Sequence, residues 1–244
     1  MKATLLLFII ILFSACTSDD DHSPNTLSDF IKANYSHQQS FLNCQLLTGN
    51  NLLSVNKFIP LFVDSFNQVR NDTDEVLFLF PIQDKNINVS DFKILLNHQD
   101  KELIDEMSRT LEDLSFGDIA NCNIENISYG LVNLKSNILE SAATAVEIME
   151  CEYIEGYSYA TMKLVFEQFI DALTKFDKDI SITYSENISD TSNFRWLNIF
   201  NSIEDRKIFV AAWQDLTLSR EIQSLFLEQS KCESSNLFRS YKVL

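Results

Sequence analysis

Glycine, histidine and proline are scarce in this sequence, which has four, three and three of them among 244 residues. No two glycines lie within about a dozen residues of each other, so a glycine-rich nucleotide-binding loop and a G-x-S-x-G nucleophile turn are both absent. The histidines, His22, His37 and His98, form no H-E-x-x-H motif and no cluster. We therefore assign no catalytic residue and no metal site from the sequence.

Positive charge is also in short supply. The chain has 19 lysines and arginines against 35 aspartates and glutamates, a formal net charge of −16. Such an acidic surface repels phosphate backbones, and the sequence has no lysine- or arginine-rich run to overcome that repulsion. Nucleic acid is therefore excluded as an expected partner.

The only long hydrophobic run lies at the N-terminus, from Leu5 to Phe13, and it has about half the roughly 20 residues that a spanning helix needs. Lys2 precedes the run, and the small residues Ser14 and Ala15 lead to Cys16. This pattern resembles the signal peptide and lipobox of bacterial lipoproteins. The resemblance implies that residues 1–15 are removed and that Cys16 is lipidated, with palmitate among its acyl chains. An ordinary secretory signal with an incidental cysteine is the alternative.

A polar segment follows the lipobox. Residues 17–25 carry no apolar period, so they cannot bury surface, and we interpret residues 16–35 as a flexible tether. The acidic run from Ser18 to Asp21 resembles the export tag of surface-exposed lipoproteins of the Bacteroidetes group; a plain solvated linker is the alternative. The expected location is the outer membrane, on its periplasmic face or at the cell surface, with the lipid bilayer as a partner through Cys16.

The rest of the chain indicates an internal duplication. The segment from Cys44 to Gly49 matches the one from Cys151 to Gly156 at an offset of 107 residues. At the same offset Ser54 meets Thr161, both good helix N-cap residues, and six apolar positions of a helical stripe follow each of them. A shared cysteine, glycine, cap and stripe make duplication a better explanation than chance.

Strand and helix signals give each copy the order β-α-β-β-α-β. This order predicts an α+β fold of two tandem ferredoxin-like repeats. We place the first repeat at residues 36–132, a linker at 133–144 and the second repeat at 145–244.

Cysteine usage supports an exported protein. Apart from Cys16 the chain has four cysteines, an even number that favours disulfides. Pairing Cys44 with Cys122 and Cys151 with Cys232 would close two loops of almost equal length, one in each repeat. Pairing across the repeats and free buried thiols are the alternatives, and the wide spacing of the cysteines makes a zinc site less favoured than either.

Two ferredoxin-like repeats in one chain resemble the dimeric α/β-barrel superfamily, in which two four-stranded sheets pack face to face around a cavity. The segment from Phe194 to Glu204 resembles the strand-to-helix region of monooxygenase-like members. In that setting Trp196, Asn198 and Trp213 are candidate pocket residues, with Arg195 on the opposite strand face; burial in a core is the alternative. Many such domains carry a histidine on the helix, where this chain has Ala212 and Trp213.

A binding or structural role at the cell envelope is the first hypothesis for function, because lipidation, a tether and disulfides require no chemistry. The alternative is a cofactor-independent small-molecule enzyme, monooxygenase-like, that uses the cavity between the sheets. Fold alone is a weak reason for preferring the enzyme. We expect no cofactor, and a small molecule or a protein remains open as the ligand.

Overall fold

The computed structural model describes residues 38–82, 90–125, 128–134, 143–174, 180–187, 189–233 and 235–244. The predicted signal peptide, Cys16 and the whole predicted tether lie outside these residues, as does most of the predicted linker. Among the described residues, no helix is both long enough and apolar enough to cross a membrane.

The first repeat begins with β1, a strand that is buried along most of its length, and its elements follow the predicted order. Their bounds are β1 Gln38–Leu46, α1 Leu52–Phe66, β2 Glu75–Pro81, β3 Asp91–His98, α2 Leu103–Asp113, β4 Ala120–Ile124 and β5 Ser128–Leu134. A single 3₁₀ turn, Phe116–Asp118, lies between α2 and β4.

The second repeat follows the same order with one extra helix. Its elements are β6 Thr144–Tyr153, α3 Tyr159–Thr174, β7 Ser181–Asn187, β8 Asn193–Phe200, α4 Ile203–Asp215, α5 Thr217–Gln229, β9 Ser230–Cys232 and β10 Asn236–Lys242. The order of the elements differs from the sequence prediction in two details: α5 was not predicted, and the last strand of each repeat is divided into two pieces.

The four main strands of each repeat join into one closed sheet. Its hydrogen-bonded order is β10-β2-β3-β1-β5-β7-β8-β6, and β10 pairs with β6 as well as β2, which closes the ring. Strands β4 and β9 lie outside this ring: β4 pairs with β1, and β9 pairs with β6. The two repeats are therefore joined at two seams, β5 with β7 and β10 with β2, and each seam combines strands of both repeats.

The described residues form three hydrophobic clusters. Two of them lie between the outer face of the sheet and the helices, one in each repeat. The buried residues of the third cluster all lie on strands, and they come from both repeats, so this cluster fills the interior of the barrel. Its buried members are Phe41, Leu77, Leu79, Leu95, Val146, Ile148, Leu197 and Phe238. As far as the described side chains reach, the middle of the barrel is thus a packed core.

The duplicated turn and helix start keep their geometry in both repeats. Gly49 and Gly156 both have φ of +91°, a left-handed conformation that favours glycine. The residues predicted as N-caps occupy the third helical position instead. Ser54 reaches back to the cap residue Asn51, whose side chain accepts the N–H groups of Leu53 and Ser54, and Thr161 accepts the N–H of Ser158.

The predicted disulfide pairing is confirmed. Cys44 is bonded to Cys122 and Cys151 to Cys232, with sulfur–sulfur distances of 2.04 and 2.03 Å. Each pair joins residues directly opposite each other on neighbouring antiparallel strands, β1 with β4 and β6 with β9. Each disulfide therefore fastens a short side strand to the first strand of its repeat.

Candidate binding site at one end of the barrel

The predicted pocket residues Trp196 and Asn198 share one face of β8, and Arg195 takes the other, as the alternation predicts. Their shared face is the outer one. Trp196 is buried beneath the helices, with its ring stacked at 4.8 Å on Phe166, and its Nε1 donates to Asn198 Oδ1 at 2.7 Å. Trp196 and Asn198 therefore lie in the core of the second repeat and not in the barrel interior.

Asn198 links the sheet to helix α4. Its amide donates to Glu147 Oε2 at 3.3 Å, and the other oxygen of this buried carboxylate accepts from Arg206 of α4. The third predicted pocket residue, Trp213, is half-buried and meets Phe169 edge to face at 5.1 Å. These contacts hold the helices against the sheet. The three candidate pocket residues therefore pack between sheet and helices and do not line a pocket in the barrel interior.

Charged side chains converge instead at one end of the barrel interior, around Arg195. Its Nε donates to Glu150 Oε1 at 2.8 Å and its Nη2 to Glu125 Oε2 at 3.0 Å. The guanidinium lies 4.1 Å from the ring centroid of Phe41, a member of the interior cluster. Arg195 thus covers the apolar interior and holds carboxylates of both repeats.

The first repeat contributes polar side chains to the same end of the barrel. Lys93 Nζ donates to Asn43 Oδ1 at 2.6 Å and lies 3.5 Å from Glu125 Oε1, which also accepts from Asn43 Nδ2 at 2.5 Å. Lys93 follows the residue opposite Cys44, and Arg195 follows the residue opposite Cys151, so the two cations occupy equivalent positions in the two repeats. Glu125 accepts from both cations and connects the repeats.

A cavity of about 390 Å³ lies beside this network, with the Cys151–Cys232 disulfide in its wall. Asn187, Asn193 and Phe194 contribute to the lining. Among the described residues, the charged groups that line it are four carboxylates and two cations: Glu125, Glu150, Glu152, Glu233, Arg195 and Lys231. The cavity therefore carries an excess of negative charge.

Burial and the neighbouring side chains have opposite effects on the pKa of Glu125. Burial by itself raises its pKa, but Arg195, Asn43 and Lys93 all favour the ionised form and together hold the pKa below the ordinary value of 4.5. Because folding lowers this pKa, the carboxylate stabilises the fold at pH values above 4.5. That contribution is lost as the pH falls through the lower, folded value.

We expect Glu125→Gln to lower the free energy of unfolding by about 2 kcal/mol at pH 7, because it leaves Arg195 and Lys93 largely buried with less compensating charge. Urea unfolding at pH 7 and in the acid range measures this loss, which should shrink as the pH falls below 4.5 and wild-type Glu125 becomes protonated. Glu152→Gln is the control: its partner Lys231 is exposed at 3.7 Å, so the change should stay within about 0.5 kcal/mol. An equal loss in both variants would contradict the bridging role of Glu125.

A second titratable pair lies at the same end of the sheet. Tyr153 Oη donates to Glu186 Oε1 at 3.0 Å. Burial raises the pKa of Glu186, only partly opposed by the Tyr153 hydrogen bond, and burial together with Glu186 raises the pKa of Tyr153. Glu186 is opposite the cavity residue Phe194 in the β7–β8 register. Glu186 is therefore a carboxyl group with raised proton affinity close to the cavity.

Sequence reasoning missed Glu125, Glu150 and Lys93. A signal was present: Lys93 and Arg195 each interrupt an otherwise apolar strand at the same place in the two copies, directly after Phe92 and Phe194. A charged side chain at an inward position of a buried strand needs a partner, which is a reason to look for one. Nothing local in the sequence indicates Glu125, because it follows the end of β4 and reaches its partners only in the folded barrel.

Neither a protein-family model nor a curated protein matches the chain by sequence. Solved structures do match in fold, and three are representative. A candidate monooxygenase from Fusobacterium nucleatum has a TM-score of 0.58 and 10% identity, over 85% of this chain and 93% of that one. A variant of the chlorite dismutase from Candidatus Nitrospira defluvii has a TM-score of 0.58 and 9% identity, over 86% and 93%.

The third is a haem-binding protein from Thermus thermophilus, with a TM-score of 0.55 and 7% identity over 84% of this chain and 91% of that one. These matches confirm the α+β fold and the expected resemblance of the body to dimeric α/β-barrel proteins. Sequence identities this low show that the fold is shared but do not show a shared activity. An activity has to be inferred from the site residues of this chain.

Proposed function

We propose that this protein binds a small organic cation in the cavity at the barrel end, and that it does so at the cell envelope. One observation carries the proposal: carboxylates outnumber cations in the lining of a cavity of about 390 Å³, a size suited to a small molecule. The role at the envelope is the sequence prediction, since Cys16 lies outside the described residues.

The charges that remain available to a ligand are mainly negative. Arg195 is paired with Glu125 and Glu150, and Lys93 is also paired with Glu125, so these charges largely compensate one another. The carboxylates left for a ligand are Glu152 and Glu233. Lys231 is 78% exposed and only loosely paired with Glu152 at 3.7 Å, and Glu233 is exposed at the rim. The chain as a whole carries a formal charge of −16, which also attracts cations and repels anions.

We expect 1,4-diaminobutane to bind more tightly than butanedioate, a dianion of the same chain length, because the cavity lining has excess negative charge. Isothermal titration calorimetry at pH 7 and constant ionic strength compares the two. The double variant Glu152→Gln/Glu233→Gln should weaken diamine binding about tenfold, since each exposed ion pair contributes up to about 1 kcal/mol.

Glu204→Gln/Glu221→Gln is the control, because it removes the same charge at two exposed helix positions outside this cavity. Its diamine affinity should equal that of the wild type. Equal affinities for dianion and diamine, or an equal loss in both double variants, would overturn the proposal, because binding would then reflect the overall charge only.

A cofactor-independent enzyme is the second candidate, and the Tyr153–Glu186 pair is the observation that favours it. A half-buried carboxyl group with raised pKa beside a cavity is suited to accept or donate a proton. The structural similarity to monooxygenase-like proteins is compatible with this candidate but shows only the fold. Conversion of the bound amine during aerobic incubation, detected by mass spectrometry, would favour the enzyme over a binding protein.

One structural neighbour is a haem-binding protein, and the described residues of this chain offer no free histidine and no cysteine thiolate as an axial ligand for that cofactor. His98 is fully buried; its Nε2 lies 2.9 Å from Ser40 Oγ and its Nδ1 lies 2.6 Å from the carbonyl oxygen of Asp100. The cysteines of the described residues are all in disulfides. In this part of the chain neither a free histidine nitrogen nor a thiolate is left to ligate a haem iron.

A further inference from the structure

We propose that the Cys151–Cys232 disulfide is a thiol-exchange site, whereas its counterpart Cys44–Cys122 is purely structural. The two disulfides occupy equivalent places in the two repeats and close loops of 81 and 78 residues. Their surroundings differ, and the difference is one that controls exchange with an external thiol. This property goes beyond ligand binding and does not depend on it.

Access to sulfur differs between the two disulfides. Cys44 and Cys151 are both buried, at 3% and 5% exposure, so an external thiolate must approach through the other cysteine of each pair. Cys232 is exposed and lines the cavity, whereas Cys122 is half-buried and packs against the core of the first repeat. Exchange rates depend on which sulfur can be reached, so Cys232 is the sulfur that reacts first.

Strand β9, which carries Cys232, is also held by fewer backbone pairs than strand β4, which carries Cys122. Strand β9 has three residues paired with β6, whereas β4 has five residues paired with β1. Fewer backbone pairs make local separation of the strand less costly, and this helps a thiolate to reach the bond. Opening this disulfide frees β9 and changes a wall of the cavity.

The charges around Cys232 determine which kind of external thiol reacts there fastest. Glu150, Glu152 and Glu233 line the cavity with Cys232, and Lys231 is the cation next to it in sequence, while Arg195 is already bound to Glu150. This excess of carboxylates repels an anionic thiol and attracts a cationic one. We therefore assign a small thiol with a positive charge as the preferred partner.

The exchange balances without any further reactant. The thiolate of the partner attacks Cys232 Sγ, and the bond to Cys151 breaks. The electron pair stays on Cys151 Sγ, which takes up a proton. The thiolate of a second molecule of the same thiol then attacks the partner's sulfur in the mixed disulfide and releases Cys232 as a thiolate, which takes up a proton. Two partner thiols are oxidised to one disulfide, and one protein disulfide is reduced to two thiols.

Timed reduction of the native protein tests the proposal, with the Cys44–Cys122 disulfide as an internal control. Cysteamine and 2-mercaptoethanesulfonate, one cationic and one anionic, are compared at equal thiolate concentration, with acid quenching, alkylation and peptide mass mapping. We expect Cys232 to be labelled at least about fivefold faster than Cys122 by cysteamine. The preference for cysteamine over the sulfonate should be larger at Cys232 than at Cys122.

The variant Glu152→Gln/Glu233→Gln should reduce the preference for cysteamine at Cys232 and leave the rate at Cys122 unchanged, because these carboxylates lie near one disulfide only. Equal rates at the two disulfides, faster labelling of Cys122, or no reduction of Cys151–Cys232 would overturn the proposal. Failure of diamine binding would not affect these rates, so this result and the ligand result are independent.

Discussion

Replacing Cys44 and Cys122 together by alanine is expected to lower the free energy of unfolding by about 4 kcal/mol. The disulfide closes a loop of 78 residues, and its loss restores the conformational freedom of that loop to the unfolded chain. Alanine avoids placing a hydroxyl group at the buried position 44. Denaturant unfolding followed by far-UV circular dichroism measures the loss.

The matching variant, with Cys151 and Cys232 replaced by alanine, should lose a similar amount because its loop has 81 residues. Both variants should still unfold in one transition. The seams β5–β7 and β10–β2 join the two repeats in one sheet, so neither repeat can lose its strands without disrupting the other. Two separate transitions, or a loss below about 1 kcal/mol, would contradict this interpretation.

Trp196→Ala is expected to lower the free energy of unfolding by about 3 to 5 kcal/mol, the usual cost of removing a large buried aromatic side chain. The indole contacts the rings of Phe166 and Phe226 at 4.8 and 5.2 Å, and its removal leaves a cavity between sheet and helices. The affinity for 1,4-diaminobutane should change little, because Trp196 faces away from the barrel interior. Denaturant unfolding and calorimetry on the same variant measure the two effects.

Trp213→Ala is the matched control. Trp213 is only half-buried, so its removal should cost clearly less than that of Trp196. A loss of diamine binding in Trp196→Ala with little change in stability would contradict the packing role and restore Trp196 as a pocket residue.

Much of the fold could be predicted because it rests on local patterns that occur twice. The helical stripes, the short β-branched and aromatic strands, and the turns at Gly49 and Gly156 recur in the same order in both copies. The disulfide pairing followed from the same repetition, since Cys44 and Cys151 occupy equivalent places and each repeat has one later cysteine. Helix α5 was missed although Leu218, Ile222, Leu225 and Phe226 have helical spacing, because its N-cap, Leu216, has no capping side chain to mark where the helix begins.

By itself, the sequence determined most of the strands and helices, their order in two copies, and the favoured pairing of the cysteines. Only the tertiary structure decided which face of each strand is the inner one. In β8 both faces carry buried apolar residues, so the two-residue period separates Trp196 from Arg195 without telling which of them faces the barrel interior. That choice depends on closure of the sheet through β5–β7 and β10–β2, pairings between residues far apart in the chain. The same closure brings Glu125 of one repeat to Arg195 of the other, because backbone hydrogen bonds between distant strands, and not local periodicity, set which side chains meet.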